Sequence, residues 1–147
     1  MNEPRRPQQL DWEEAESWLQ KAADDARGAR LLISSRLISL AAFHVQQATE
    51  KALKALLVAA AQDVRRVHDV AMLSDLARAY WPDLLPDPFP LVAVNEWYIT
   101  TRYPGIDDQT PSAQEVEEAL DIVEILITAI DERTSLALRS GNEKPAP

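Results

Sequence analysis

The chain contains no cysteine. Disulfides and thiolate-held metals are thereby excluded, and a cytoplasmic setting is expected. Only three glycines occur, at positions 28, 105 and 141. They are too sparse to build a phosphate-cradling P-loop or a dinucleotide fingerprint. The two histidines, His44 and His68, fall on different predicted elements, and neither has an HExxH-like context. No metal and no cofactor are expected. No nucleophile elbow is present. No apolar run approaches the roughly 20 residues needed to cross a bilayer. The opening stretch "MNEPRRPQQLDW" lacks the apolar core of a secretory signal, so no membrane role is expected. Basic residues are in the minority, 15 Lys and Arg against 24 Asp and Glu, for a net charge of −9. Broad, sequence-blind binding to nucleic acid needs the opposite balance.

What the chain does have is helical periodicity. Trp12, Ala15, Leu19, Ala22, Ala26, Ala29 and Ile33 recur every three or four residues. That spacing predicts one apolar face of a helix from Asp11 to Ile33, with a break at Ser34 to Arg36. A second helix is predicted from about Leu37 to Ala61, on an alanine-rich line that lets a neighbour approach closely. Asp69 reads as the N-cap of a short helix, Val70 to Tyr80. Four prolines in "WPDLLPDPFP" force an irregular loop. A fourth helix is predicted from Leu91 to Arg102, and Pro104 stops it. "SAQE" is a capping box that opens a last helix reaching about Leu138. That helix is apolar beyond a single stripe, so it sits centrally in the core, faces a second subunit, or both.

The expected architecture is all-α: an antiparallel up-and-down bundle of three long and two short helices. One domain, residues 11–138, is expected between a flexible tail at 1–10 and a disordered one at 139–147. Charge is unevenly spread. From Arg36 to His68 five residues are basic and two acidic, whereas from Asp107 to Glu132 nine are acidic and none is basic. The acidic run reads as a solvated face that could meet a basic partner.

Within "FHVQQATEKALKAL", His44, Gln47, Lys51 and Lys54 share a helix face with Glu50 beside them. Two readings stand. One is a solvated edge, with Glu50 and Lys54 as an i,i+4 pair worth about 0.3–0.5 kcal/mol, and this is the preferred reading of Lys54. The other is a groove wall. For His68 the plain reading is a capping loop led by Asp69.

"FHVQQATEKALKALL", "HD" opening the third helix and "TRYP" closing the fourth, in that order, resemble the HEPN domain family (higher eukaryotes and prokaryotes nucleotide-binding). The resemblance covers about Trp12 to Ile130. It implies a helical bundle that often dimerises and is often encoded beside a minimal nucleotidyltransferase. Some members are metal-independent RNase toxins of toxin–antitoxin pairs and carry an arginine, four to six residues, then a histidine. Arg102 stands where that arginine is expected, but Tyr103, Pro104, Gly105, Ile106, Asp107, Asp108 and Gln109 follow it. Arginine can donate hydrogen bonds and stabilise charge, but it does not move protons near neutral pH as an imidazole does.

No catalytic residue is therefore assigned. The expected function is a dimerising module that binds a nucleotide or a partner nucleotidyltransferase. Arg102, Tyr103, Lys51, Gln47 and His44 form the expected nucleotide- or phosphate-binding group. The alternatives are an RNase toxin that uses Arg102 with His44 or His68 on RNA, and a purely structural interaction domain.

Overall fold

A computed structural model of the chain describes residues 9–64, 66–85, 91–100 and 110–140. Five helices follow in order: α1 (Gln9–Ser34), α2 (Ile38–Ala59), α3 (Val70–Tyr80), α4 (Leu91–Thr100) and α5 (Ala113–Ser140). There are no strands among the described residues. The all-α bundle of three long and two short helices expected from periodicity is what forms.

Local chemistry sets the helix boundaries. The α1–α2 turn is tight: Leu37 N–H donates to the Leu32 carbonyl at 2.9 Å, and Arg36 N–H to the Ile33 carbonyl at 3.0 Å. Arg36 takes φ 64°, the left-handed conformation that closes helices this way. The end of α2 repeats the device. Gln62 N–H reaches the Leu57 carbonyl at 2.9 Å, and Ala61 sits at φ 62°. Asp69 caps α3 by accepting from Met72 N–H at 3.0 Å. The capping box of α5 is reciprocal. Glu115 N–H donates to Ser112 Oγ at 3.1 Å, and Ser112 N–H donates to Glu115 Oε1 at 3.3 Å.

Two apolar clusters run along the bundle. Trp12, Leu19, Leu53, Leu56, Leu73, Trp81, Leu126 and Ile130 fill one. Ala26, Ala29, Ala41, Val45, Ala48, Val94, Trp97, Val116 and Val123 fill the other. The start of α1 thus meets the later part of α5, and the end of α1 meets its beginning, so the two helices run antiparallel. Half of the buried residues of the second cluster are alanines, which let neighbouring helices approach closely. Trp81 is fully buried, edge-on to Trp12 at 5.9 Å, and its indole N–H donates to the Leu56 carbonyl at 2.7 Å. The proline-rich loop therefore leaves from an anchored residue.

α5 lies in the core, as one of the two readings of its apolar character requires. Val116, Ala119, Leu120, Val123, Leu126 and Ile130 are buried. Ile125 lies on the opposite side and is 67% exposed. α4 is tied to the start of α3, where Val70 N–H donates to Asn95 Oδ1 at 3.0 Å. Trp97 is a core residue at 4% exposure.

Candidate functional site

The polar stripe of α2 divides into two clusters, each joined to a different neighbour. The first centres on Asp25, which α1 directs toward α2. His44 Nδ1 lies 2.9 Å from Asp25 Oδ1, and Lys51 Nζ pairs with Asp25 Oδ2. A carboxylate accepts only, so His44 Nδ1 is the donor in this contact. The His44 side chain is about one-third exposed. Asp25 is thus the hinge of a small network: it orients an imidazole and holds an ammonium on one face of the α1–α2 pair.

Gln47 lies between His44 and Lys51 along the helix. Its amide donates to Gln46 Oε1 at 2.7 Å, and Gln46 is fully buried. His44, Gln47 and Lys51 are therefore brought together on one face. Arg102 and Tyr103 lie outside the described residues, so their relation to this face rests on the sequence.

The second cluster corrects the solvated-edge reading of Lys54. Its side chain is 2% exposed and that of Glu50 is 8% exposed. Lys54 Nζ lies 3.3 Å from Glu50 Oε2 and 5.3 Å from the centre of the Trp18 ring. His68 Nδ1 closes the group from the α2–α3 connection, 3.4 Å from Glu50 Oε2 and 3.5 Å from Lys54 Nζ. A lysine at this spacing from a glutamate normally extends into water. Here Trp18 of α1 and the loop carrying His68 cover it, so the ammonium is held by a carboxylate, an indole face and an imidazole. His68 itself remains 65% exposed.

Sequence reading missed Asp25, Trp18 and Arg30. The signal for Asp25 was a carboxylate on the α2-facing flank of α1, opposite a basic stripe. Arg30 leaves α1 on the other flank and draws in α5. It meets Asp121 Oδ1 at 2.9 Å, pairs with Glu124, and approaches Glu117 at 3.9 Å. The hydrogen bond to Asp121 raises the Arg30 pKa above its ordinary value; burial opposes the rise, and Glu124 adds to it. Part of the acidic run therefore acts as a clasp between α1 and α5.

Among the described residues no group of three or more His, Cys, Asp or Glu side chains could hold a metal ion, and no helix is long and apolar enough to cross a membrane.

The HEPN domain model matches residues 15–133, which takes in both polar clusters and all or most of each helix. The chain belongs to the HEPN domain family. Among solved structures it is similar to the crystal structure of TT1696 from Thermus thermophilus. The identity is 28% and the TM-score 0.59, over 81% of this chain and 97% of that one. Among curated proteins none matches. The HEPN match spans the α1–α2 face and the position of Arg102 alike, so the candidate residues all fall inside the family's domain.

Proposed function

We propose that this chain is a HEPN module without catalysis of its own, which pairs with a second copy and binds a nucleotide or a partner minimal nucleotidyltransferase. One observation carries the reading: a HEPN chain with Arg102 in the expected place and no histidine four to six residues beyond it. A guanidinium meets a phosphate bidentately but stays protonated throughout. It holds an anion and does not relay protons.

The network around Asp25 supports the binding half of the proposal. The Asp25 carboxylate already offsets the Lys51 ammonium, so Arg102 supplies the positive charge that phosphate oxygens seek. His44 and Lys51 are already restrained by Asp25, which lowers the ordering cost when they meet a ligand. Tyr103 and Gln47 supply further hydrogen-bonding groups. Pairing with a second copy is supported by Leu31, Leu37 and Leu40, which stand 65%, 51% and 48% exposed about the α1–α2 turn.

Isothermal titration of the purified protein with adenosine and guanosine mono- and triphosphates, and with a purified minimal nucleotidyltransferase, tests the reading. Binding of at least one of them is expected, weakened about tenfold or more by Arg102→Ala. Absence of binding to every nucleotide and to the nucleotidyltransferase refutes it.

A further inference from the structure

The outer face of α5 has no role in the core or in the polar clusters of α2. Asp121, Ile125, Thr128, Glu132 and Leu136 recur along it at intervals of three and four residues. Together with Glu124 and Ala129, the first four line an open depression of about 600 Å³. Ile125 stands in it 67% exposed, and Leu136 further along is 45% exposed. Ile125 is a bare aliphatic side chain set among carboxylates on a shallow, open face that the core does not use.

We infer that this face of α5 docks a cationic amphipathic helix from a partner protein. The face is roughly 22 Å long at 1.5 Å per residue, enough for about four helical turns. An apolar anchor of the partner would sit over Ile125 and Ala129, and Lys or Arg side chains on either flank would meet the carboxylates. Charge selects this occupant. Between Ala113 and Glu132 α5 carries seven acidic residues and no basic one. Arg30 answers only Asp121, Glu124 and Glu117, and Asp131 and Glu132 make no ion pair among the described residues. A two-fold pairing of this face with itself would set those carboxylates against their own copies, which is repulsive. A basic helix is attracted at long range and gains its register from the single exposed isoleucine. The inference does not depend on nucleotide binding, because the α5 face points away from the α2-facing side of α1.

The test uses the full chain, isotopically labelled, titrated with a synthetic Lys/Leu amphipathic helix of about 18 residues and followed by amide chemical shifts. Shifts are expected to concentrate on residues 117–136, with affinity falling steeply as salt rises. A Glu/Leu peptide of equal apolar content is expected to leave the spectrum unchanged. Ile125→Lys should weaken the Lys/Leu peptide about tenfold or more while leaving the melting temperature within a degree or two, because the side chain is mostly in water. Gln20→Lys, an equal charge change at an exposed position of α1, should weaken it far less. Equal losses for the two variants would mean charge alone attracts the peptide, and the docking surface would be refuted. Shifts scattered over the other helices would refute it too. So would a wild-type dimer that sedimentation finds to be monomeric in Ile125→Lys, since the face would then belong to a second copy.

Discussion

At the scale of single residues, Lys54 decides how the middle of α2 is built. Its ammonium has left water almost completely, and the Glu50 carboxylate, the Trp18 ring and the His68 imidazole take the place of solvent. Truncation to alanine leaves a buried carboxylate without its cation. Lys54→Ala is therefore expected to lower unfolding stability by about 3 kcal/mol or more, read from urea denaturation. The double change Glu50→Gln with Lys54→Met removes both charges and keeps the volume. It should cost clearly less than Lys54→Ala alone, and an equal or larger cost would argue against a paired buried charge. His68 lies mostly in water, so His68→Ala should cost less than about 1 kcal/mol. Asp25 is somewhat less buried than Glu50 and, like it, serves two partners. Asp25→Asn is expected to cost about 1–3 kcal/mol, and to shift the His44 ring resonances in NMR because the Nδ1 acceptor has lost its charge.

At the scale of elements, helix ends offer the cleanest measurements. Ala61 closes α2 at φ 62°, a conformation a side chain resists and glycine accepts. Ala61→Gly is expected to stabilise the protein by about 0.5–1 kcal/mol, seen as a higher urea midpoint with an unchanged slope. Ser112→Ala removes the hydroxyl that accepts from Glu115 N–H at the opening of α5 and should cost about 1 kcal/mol. The Arg30 clasp gives a pH statement. Its pKa is raised in the folded state, mainly by Asp121, so its contribution is fully present below the unfolded value and disappears only as pH rises through the folded one. That lies above the range of ordinary stability measurements. The difference between wild type and Arg30→Ala should thus stay flat from neutral to mildly alkaline pH and shrink with added salt.

The helices were legible in the sequence because their signals are local: a 3.6-residue period, an Asp cap and a Ser-to-Glu capping box. The bounds agree to within a few residues for the same reason. Burial of Lys54 was not legible, because it depends on Trp18 and His68, which come from elements before and after α2. The two sides of α5 were hard to separate for a related reason. Isoleucines at 122, 125 and 127 look alike in a sequence, and only packing against α1 and α2 leaves Ile125 outside. Within the candidate site, the stripe His44, Gln47 and Lys51 could be read from spacing, but its anchor, Asp25, lies on another helix.

At the scale of the whole molecule, charge is sorted by face. The α1–α2 side carries a histidine and a lysine held by one carboxylate, with a glutamine between them, whereas α5 turns a row of carboxylates outward around Ile125. In the reading proposed above, the first face of this protein of net charge −9 takes an anion and the second, separately, a basic protein surface. Membership of the HEPN domain family joins these features to Arg102, whose expected imidazole companion is missing from the residues that follow it. Without that imidazole, Arg102 has no neighbour in sequence to move a proton. The most direct measurement is incubation of the purified protein with a labelled structured RNA, resolved on a denaturing gel beside Arg102→Ala. RNA left intact to the same extent by both proteins is the predicted result. Cleavage by the wild type that Arg102→Ala abolishes would contradict it.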